Sequence, residues 1–451
     1  MQTQRDHLHA YQTMVGRMSS ALLLGDTSHG EPPARRALFG LVMGVVLALL
    51  IAVGFGVYGL IKPGGSQAWK KPGAILVEEE TGATYVHRGG VLVPVLNQAS
   101  ALLLVGGGAH VETIKRASLA GLDRGPEVGI VGAPEAVPDR GSLVTGPWLL
   151  CLAASGGGMG VDLVPGAGTV RAGADRHLWV AAADGTQYVV WDDRKHRLAD
   201  ETVPVALGLG AGPPVTAPTA WLDALPDGPE VGAARVDGDG KAGPRVADAP
   251  HRVGDLFEHD TSSGPQHFVL RADGLAPLSR TESALVQAKL GRAATRLDTA
   301  ALAAAPRSAD DSLVSRLPDL ATTKALVEAG GPDRALCLEQ RPSGARVLSE
   351  LVTADPGHRP AEATADRAAT RLGPASGVLA AAVPVADGRK PLRYLITDQG
   401  VKYPLADDES VAALGYGGVT PVPVGTAVLA AVPTGPVLAR SAVAVVQKGG
   451  S

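Results

Sequence analysis

The sequence predicts an α+β protein: one N-terminal transmembrane helix, then an elongated outer region of four small β-hairpin/helix repeats around a central domain. Three observations carry that expectation. A long uncharged apolar run lies near the start. A short β-rich run, a Gly-containing turn and a helix-like stretch recur after it. The composition is that of a folded chain, with 45% hydrophobic and 19% charged residues among 451, which excludes wholesale disorder. The 58 Gly and 34 Pro predict many turns, and with 4% aromatics the cores must be built from Val, Leu and Ala. A chain of this length exceeds one compact core, so several subdomains are expected.

Residues 1–36 read as a polar tail. Within it, Asp6 to Leu24 carries Leu8, Tyr11, Val15, Met18 and Leu22 at helical spacing and stops at Gly25. A short amphipathic helix beside a membrane binds a partner or lies on the bilayer, and the spacing fits both. The run Ala37–Ile61 then has no charge. At about 1.5 Å per residue it crosses a hydrocarbon core of about 30 Å. A cleaved signal peptide is the competing reading, and Ser66-Gln67-Ala68 offers a small-x-small site. Signal cores are shorter, roughly 7–15 residues after a short leader, so an uncleaved anchor is expected. Gly40-x-x-x-Gly44 has the spacing of a helix–helix contact. Tyr58 and Trp69 sit where interfacial aromatics do. Flanking charge does not orient the helix: Arg17, Arg35 and Arg36 face Lys62, Lys70 and Lys71.

Four repeats follow, at 72–110, 176–230, 264–315 and 391–440. They are anchored on Thr81-Gly82, Asp184-Gly185, Asp273-Gly274 and Asp398-Gln399-Gly400. Thr281 and Asp407 stand where N-caps would open the helices. Leu225-Pro226-Asp227-Gly228-Pro229 and Val432-Pro433-Thr434-Gly435-Pro436 give the second and fourth copies a common tail. The spacing is irregular, which excludes a fixed-period solenoid. Two stretches outside the copies, 111–170 and 316–390, read as halves of the central domain, and 441–451 as a C-terminal tail. Residues 229–250 read as a flexible loop. Cys151 and Cys337 are the only cysteines, one in each half. Two buried thiols and a bridge in an oxidising compartment are both compatible with that count.

No constellation for chemistry stands out. Gly240-Lys241 fails as a phosphate loop, because Arg235 replaces the first Gly and Ala242 the Mg²⁺-holding hydroxyl. Asp237-Gly238-Asp239-Gly240 lacks the further acidic ligands of a calcium loop. Gly106-Gly107-Gly108 and Gly156-Gly157-Gly158 read as loops. The eleven histidines are scattered, His7 and His9 in the tail among them. Ser155 lacks the glycine of a nucleophile elbow, since Ala153 stands there. No catalytic, cofactor-binding or metal-ligating residue is assigned. A net charge of −4 without a basic stripe argues against nucleic acid.

The motifs together resemble a known family. Arg5-Asp6-x-Leu8-x-Ala10-Tyr11, Ser20-Ala21-Leu22-Leu23-x-Gly25-Asp26 and Val57-Tyr58-Gly59-Leu60-Ile61-Lys62-Pro63-Gly64 are followed by Gly82-Ala83-Thr84-Tyr85-Val86. Val91-Leu92-Val93-Pro94-Val95-Leu96-Asn97-Gln98-Ala99-Ser100-Ala101, Arg124-Gly125-Pro126 and Gly129-Ile130-Val131-Gly132-Ala133-Pro134 come next, in the expected order. This series resembles EccB, the membrane-anchored core component of type VII (ESX) secretion systems of actinobacteria, nearly end to end and most densely over 1–165.

The resemblance implies a plasma-membrane protein with a cytosolic N-terminus and an extracytoplasmic domain. It implies a disulfide, here Cys151–Cys337, linking the central body inside four peripheral repeats. It implies self-association and assembly with EccC, EccD and EccE, with the protease MycP nearby. Family members have also been described as ATPases. Two departures from the family pattern are visible. Gly16-Arg17 stands where tails often carry paired arginines, and the third repeat is abbreviated after Leu290. Three functions follow for comparison: a structural secretion subunit, a membrane-linked nucleotide hydrolase, and a cell-wall-binding module. The last would require Trp179, Trp191 and Trp221 to be exposed platforms.

Overall fold

The computed structural model describes residues 4–24, 34–61, 66–153, 157–163, 168–210, 212–326, 334–360 and 368–445. Contacts divide the chain into two units: 1–67 with 115–120, and 68–114 with 121–451. Ser155, the Gly25 helix stop, Lys62 and most of the 441–451 tail lie outside the described residues.

The first unit holds two long helices and the short helix Arg116–Leu119. Gln4–Leu24 covers the expected amphipathic stretch. Ala34–Ile61 contains the apolar run, and Ala37–Tyr58 has a mean hydropathy of 2.8 with none of it buried. Such a surface is stable only in an apolar medium, since each exposed Leu or Val costs about 1.5–3 kcal/mol relative to burial. A Cβ on Gly40 or Gly44 would meet nothing within 4 Å, so that face is open.

The second unit is built on five sheets. The central one runs Ala369–Arg371, Met159–Asp162, Trp148–Leu152, Ala335–Ser343, Arg346–Ala354, Val170–Arg171. The strand Trp148–Leu152 in its middle is apolar on both faces, as a strand between two layers must be, and is buried at every position.

The other four sheets share one order, third–second–first–fourth strand, in which the fourth runs parallel to the first. Their first strands are Ala74–Glu78, Arg176–Ala181, Leu256–Thr261 and Gly377–Val383. A helix makes each crossover: Gln98–Val105, Thr202–Leu207, Arg280–Leu290 and Asp408–Ala413. A parallel return needs such a connection, whereas the two hairpins before it close with tight turns. After the fourth strand the chain comes back beside the third. The amides of Gly125, Gly228, Ser308 and Gly435 donate to the carbonyls of Leu92, Lys195, Leu275 and Lys402 at 3.0, 2.8, 3.0 and 2.9 Å.

Several expectations need correction. The third sheet opens at Leu256, ahead of 264, and the fourth at Gly377, inside the stretch read as central domain. The third is not cut short after Leu290: Thr295–Arg296 and the helix Thr299–Ala304 complete it. Ser279, not Thr281, caps Arg280–Leu290 by accepting from the Glu282 amide at 3.1 Å. Thr281 is buried and instead accepts from the Ala321 amide. Asp407 does cap its helix, accepting from Ser410 at 2.7 Å. The stretch 229–250 is not a flexible loop, because Val231, Val236 and Val246 are buried there and pin it against the second and third sheets. Trp69 packs edge-on against His87 at 5.0 Å, so its ring serves the second unit.

Candidate functional site

The sites of interest are the contacts that fix one sheet against another. Three kinds occur.

The first is covalent. Cys151 and Cys337 are directly opposite on adjacent antiparallel strands of the central sheet and are joined by a disulfide. Both are fully buried with Leu149, Ala335, Val352 and Ala354. The bond ties strands that flank the insertion of the second and third sheets.

The second is the lock between each return segment and its third strand. In the second sheet the ring of His196 lies over Gly228, and in the fourth that of Tyr403 lies over Gly435. A Cβ on either glycine would overlap the ring. At the same places the first sheet pairs Val93 with Gly125, and the third pairs Ala276 with Ser308. Ring and glycine thus go together, as do the small side chain and serine. Pro-x-Gly-Pro, visible in the sequence as a common tail, is the segment that passes under the ring. His196 Nδ1 lies 3.0 Å from the Pro229 carbonyl, while its Nε2 is buried without a partner among the described residues. Burial pushes the imidazole pKa below its ordinary value.

Buried serines add a tether. Ser100 Oγ accepts from the Ile130 amide at 2.9 Å and Ser410 Oγ from the Arg440 amide at 3.3 Å, each on the first turn of a crossover helix.

The third kind joins sheets in pairs. Thr202–Leu207 packs on Arg280–Leu290, putting Val203, Leu207, Leu285 and Leu320 in one core. Arg316 bridges there: it pairs with the fully buried Glu282 and donates to the Gly232 carbonyl at 2.6 Å. Gln98–Val105 packs likewise on Asp408–Ala413 around Leu103, Val411 and Tyr416. Tyr416 donates to the Pro138 carbonyl at 2.6 Å, and Arg440 Nε to Leu103 at 3.0 Å. The second and fourth sheets meet on the central one. Their second helices, Thr219–Leu222 and Thr426–Ala431, touch each other, and Trp221, Val428 and Leu429 share the core of Trp148 and Leu150. The packing order is therefore first, fourth, centre, second, third.

Other candidates from the sequence are placed plainly. Gly240-Lys241 lies in a turn, with the Lys241 amide on the Gly238 carbonyl, and not at a strand–helix junction. Asp239 is paired with Arg292 at 2.9 Å. Gly106 caps the Gln98–Val105 helix through its amide on Leu102. Trp221 is fully buried, donating to the Leu150 carbonyl at 3.0 Å, which removes it as a glycan platform. Trp179 and Trp191 are half-buried, their indoles held by Gln187 and the Ala174 carbonyl. On the tail helix, Leu8, Tyr11, Met18 and Leu22 are all exposed.

The model of the type VII secretion system ESX-1 transport TM domain B family, EccB, matches residues 1–449. The chain belongs to the EccB family. It is 28% identical to the "ESX-3 secretion system ATPase EccB3" of Mycolicibacterium smegmatis over 482 aligned positions, covering 97% of this chain and 89% of that one. The structure of the EccB3 dimer from the ESX-3 core complex superposes with a TM-score of 0.61 at 26% identity, covering 83% of this chain and 100% of that one. A chain of an intact ESX-5 inner membrane complex gives a TM-score of 0.63 at 24% identity over 100% of this chain and 97% of that one, a likeness of fold.

Proposed function

We propose that this chain is a structural subunit of a type VII secretion membrane complex, which anchors and multimerises the channel assembly. The family match across residues 1–449 carries the reading, together with an unburied apolar helix at Ala37–Tyr58. The tail 1–36 faces the cytosol and offers the apolar face of Gln4–Leu24 to partner subunits. The four sheets of common strand order are the peripheral repeats, and they self-associate outside the membrane. Companions are EccC-, EccD- and EccE-like subunits, with a MycP-like protease nearby. The related chains of known structure were solved as a dimer and within an inner membrane complex, which supports this role.

Relatives carry the name ATPase. The non-enzymatic reading is preferred because the sole Gly-Lys pair stands in a turn braced by hydrogen bonds of its own. Phosphate hydrolysis needs backbone amides converging on the anion at a helix start.

Affinity purification of the tagged full chain from membranes in mild detergent tests the assignment. Co-recovery of the sister subunits, with no phosphate release from ATP above buffer, is the expected result. Recovery of the chain alone would overturn the assembly role, and turnover that purifies with the chain would overturn the non-enzymatic one.

A further inference from the structure

The chain that leaves the apolar helix is met by a segment from much further on. The Ser66 amide donates to Ser118 Oγ at 3.0 Å. Ser118 stands on the short helix Arg116–Leu119, which opens at Lys115 and has Leu119 buried. Residues 115–120 accordingly group with the membrane helix and not with the strand that precedes them.

This contact limits how far Lys115 and Arg116 can stand from a bilayer. The helix Ala34–Ile61 ends shortly before Ser66. Five residues of chain span at most about 17 Å. That maximum is comparable with the headgroup layer, about 5–8 Å beyond the hydrocarbon core, plus a screening length of about 8 Å. Lys115 and Arg116 lie within one turn of Ser118, and both are exposed. The sequence around the contact is also of one sign. No Asp or Glu occurs from 113 to 122 or from 61 to 77, where Lys62 and Lys70 add further positive charge. Lys71 is paired with Glu112 at 2.6 Å. The occupant follows from the span itself, because the unburied helix Ala37–Tyr58 brings a lipid surface to this end of the chain.

We infer that Lys115 and Arg116 form a docking site for anionic phospholipid headgroups, in the leaflet at the C-terminal end of the span, and that Ser118 is the positioning residue that brings them there. Lys and Arg beside a span attract anionic lipid through the surface potential. In sequence the pair is remote from the helix, so the Ser66–Ser118 bond is what makes it juxtamembrane. The inference rests on the membrane anchoring of the proposed function.

The test reconstitutes the full chain in phosphatidylcholine vesicles. Trace spin-labelled phosphatidylglycerol is compared with spin-labelled phosphatidylcholine, and the motionally restricted fraction of each is read. Expected is a preference for the anionic lipid that falls several-fold in the double variant Lys115→Glu, Arg116→Glu. The charge-keeping exchange Lys115→Arg, Arg116→Lys should retain it, which separates charge from fold. Ser118→Ala should lower it in part without changing any charge. Lys390→Glu, on the fourth sheet with a side chain 90% exposed, should leave it unchanged. No preference in the unaltered chain would overturn the inference. So would a preference that survives the charge reversal, since it would then belong to Lys62 or to the arginines before the span. A chain that fails to float with the vesicles would overturn the anchoring itself, and this site with it.

Discussion

The second and fourth flanking sheets take corresponding places on the central sheet, yet they meet the same packing demand with different side chains. The second puts Trp221 into the shared core where the fourth puts Val428. It closes its return segment under His196, the fourth under Tyr403. It neutralises Lys195 with two carboxylates, while Lys402 has only a backbone carbonyl among the described residues. The lesson is that topology fixes which positions must be small, flat or buried, and chemistry then drifts within those limits. The third sheet makes the point from the other side: with Ala276 in place of the ring, the position under it accepts Ser308.

Trp221→Ala should cost about 3–5 kcal/mol, because it empties a full indole from the core and removes its hydrogen bond to the Leu150 carbonyl. Val428→Ala should cost clearly less. Hydrogen exchange of the full chain, read over strands 148–152, measures both, and equal losses would break the asymmetry. Exchange is the suitable probe, since a chain of several cores does not unfold in one step.

Next in size, Cys151→Ala should lower stability by about 2–5 kcal/mol, because the bond closes a long loop. The exchange of both central strands should rise together. A rise confined to the second and third sheets would assign the bond a local role instead.

Gly435→Ser should cost about 1–3 kcal/mol through overpacking against Tyr403. Tyr403→Ala in the same chain should recover part of that loss by recreating the third sheet's pair. Simple additivity of the two would show that ring and glycine are not coupled.

A smaller effect distinguishes His196 from Tyr403. Burial holds the folded-state pKa of His196 below that of the unfolded chain, about 6.5. The unfolded state therefore takes up the proton first. The stabilisation is complete above about pH 6.5 and is lost as the pH falls below it. Exchange over 187–198 should accelerate between pH 6.5 and 5.5, with the corresponding segment 393–405 unchanged after correction for intrinsic rate. In His196→Phe that difference should vanish.

Much of this was legible in the sequence, and the misreadings have a physical cause. The span, the crossover helices and the recurrence of hairpins follow from period and turn residues. The register of the recurrence does not. Thr81-Gly82 and Asp184-Gly185 join first to second strands, whereas Asp273-Gly274 and Asp398-Gln399-Gly400 join second to third. An Asp-Gly turn marks a hairpin without saying which one, so aligning on it displaced the third and fourth copies by a strand. In the second sheet the later turn is Asp192-Asp193, both residues at positive φ, which Gly normally signals. Ser279 was passed over for Thr281 because both can cap, and only the chain's course at 279 decides. The stretch 229–250 looked loose because its three valines have no period, each reaching a different neighbour.

The first sheet carries a further consequence. Its outermost strand is Ala444–Val445, which pairs with Val128–Gly129 and extends a sheet begun at Ala74. A chain made from its N-terminus delivers Ala74 early and Val445 late. The opening sheet must therefore wait, one edge bare, while nearly everything else emerges. Folding of this unit is thus a closing of the circle, and any truncation near 444 should be felt first in the sheet begun at Ala74, far from the cut in sequence.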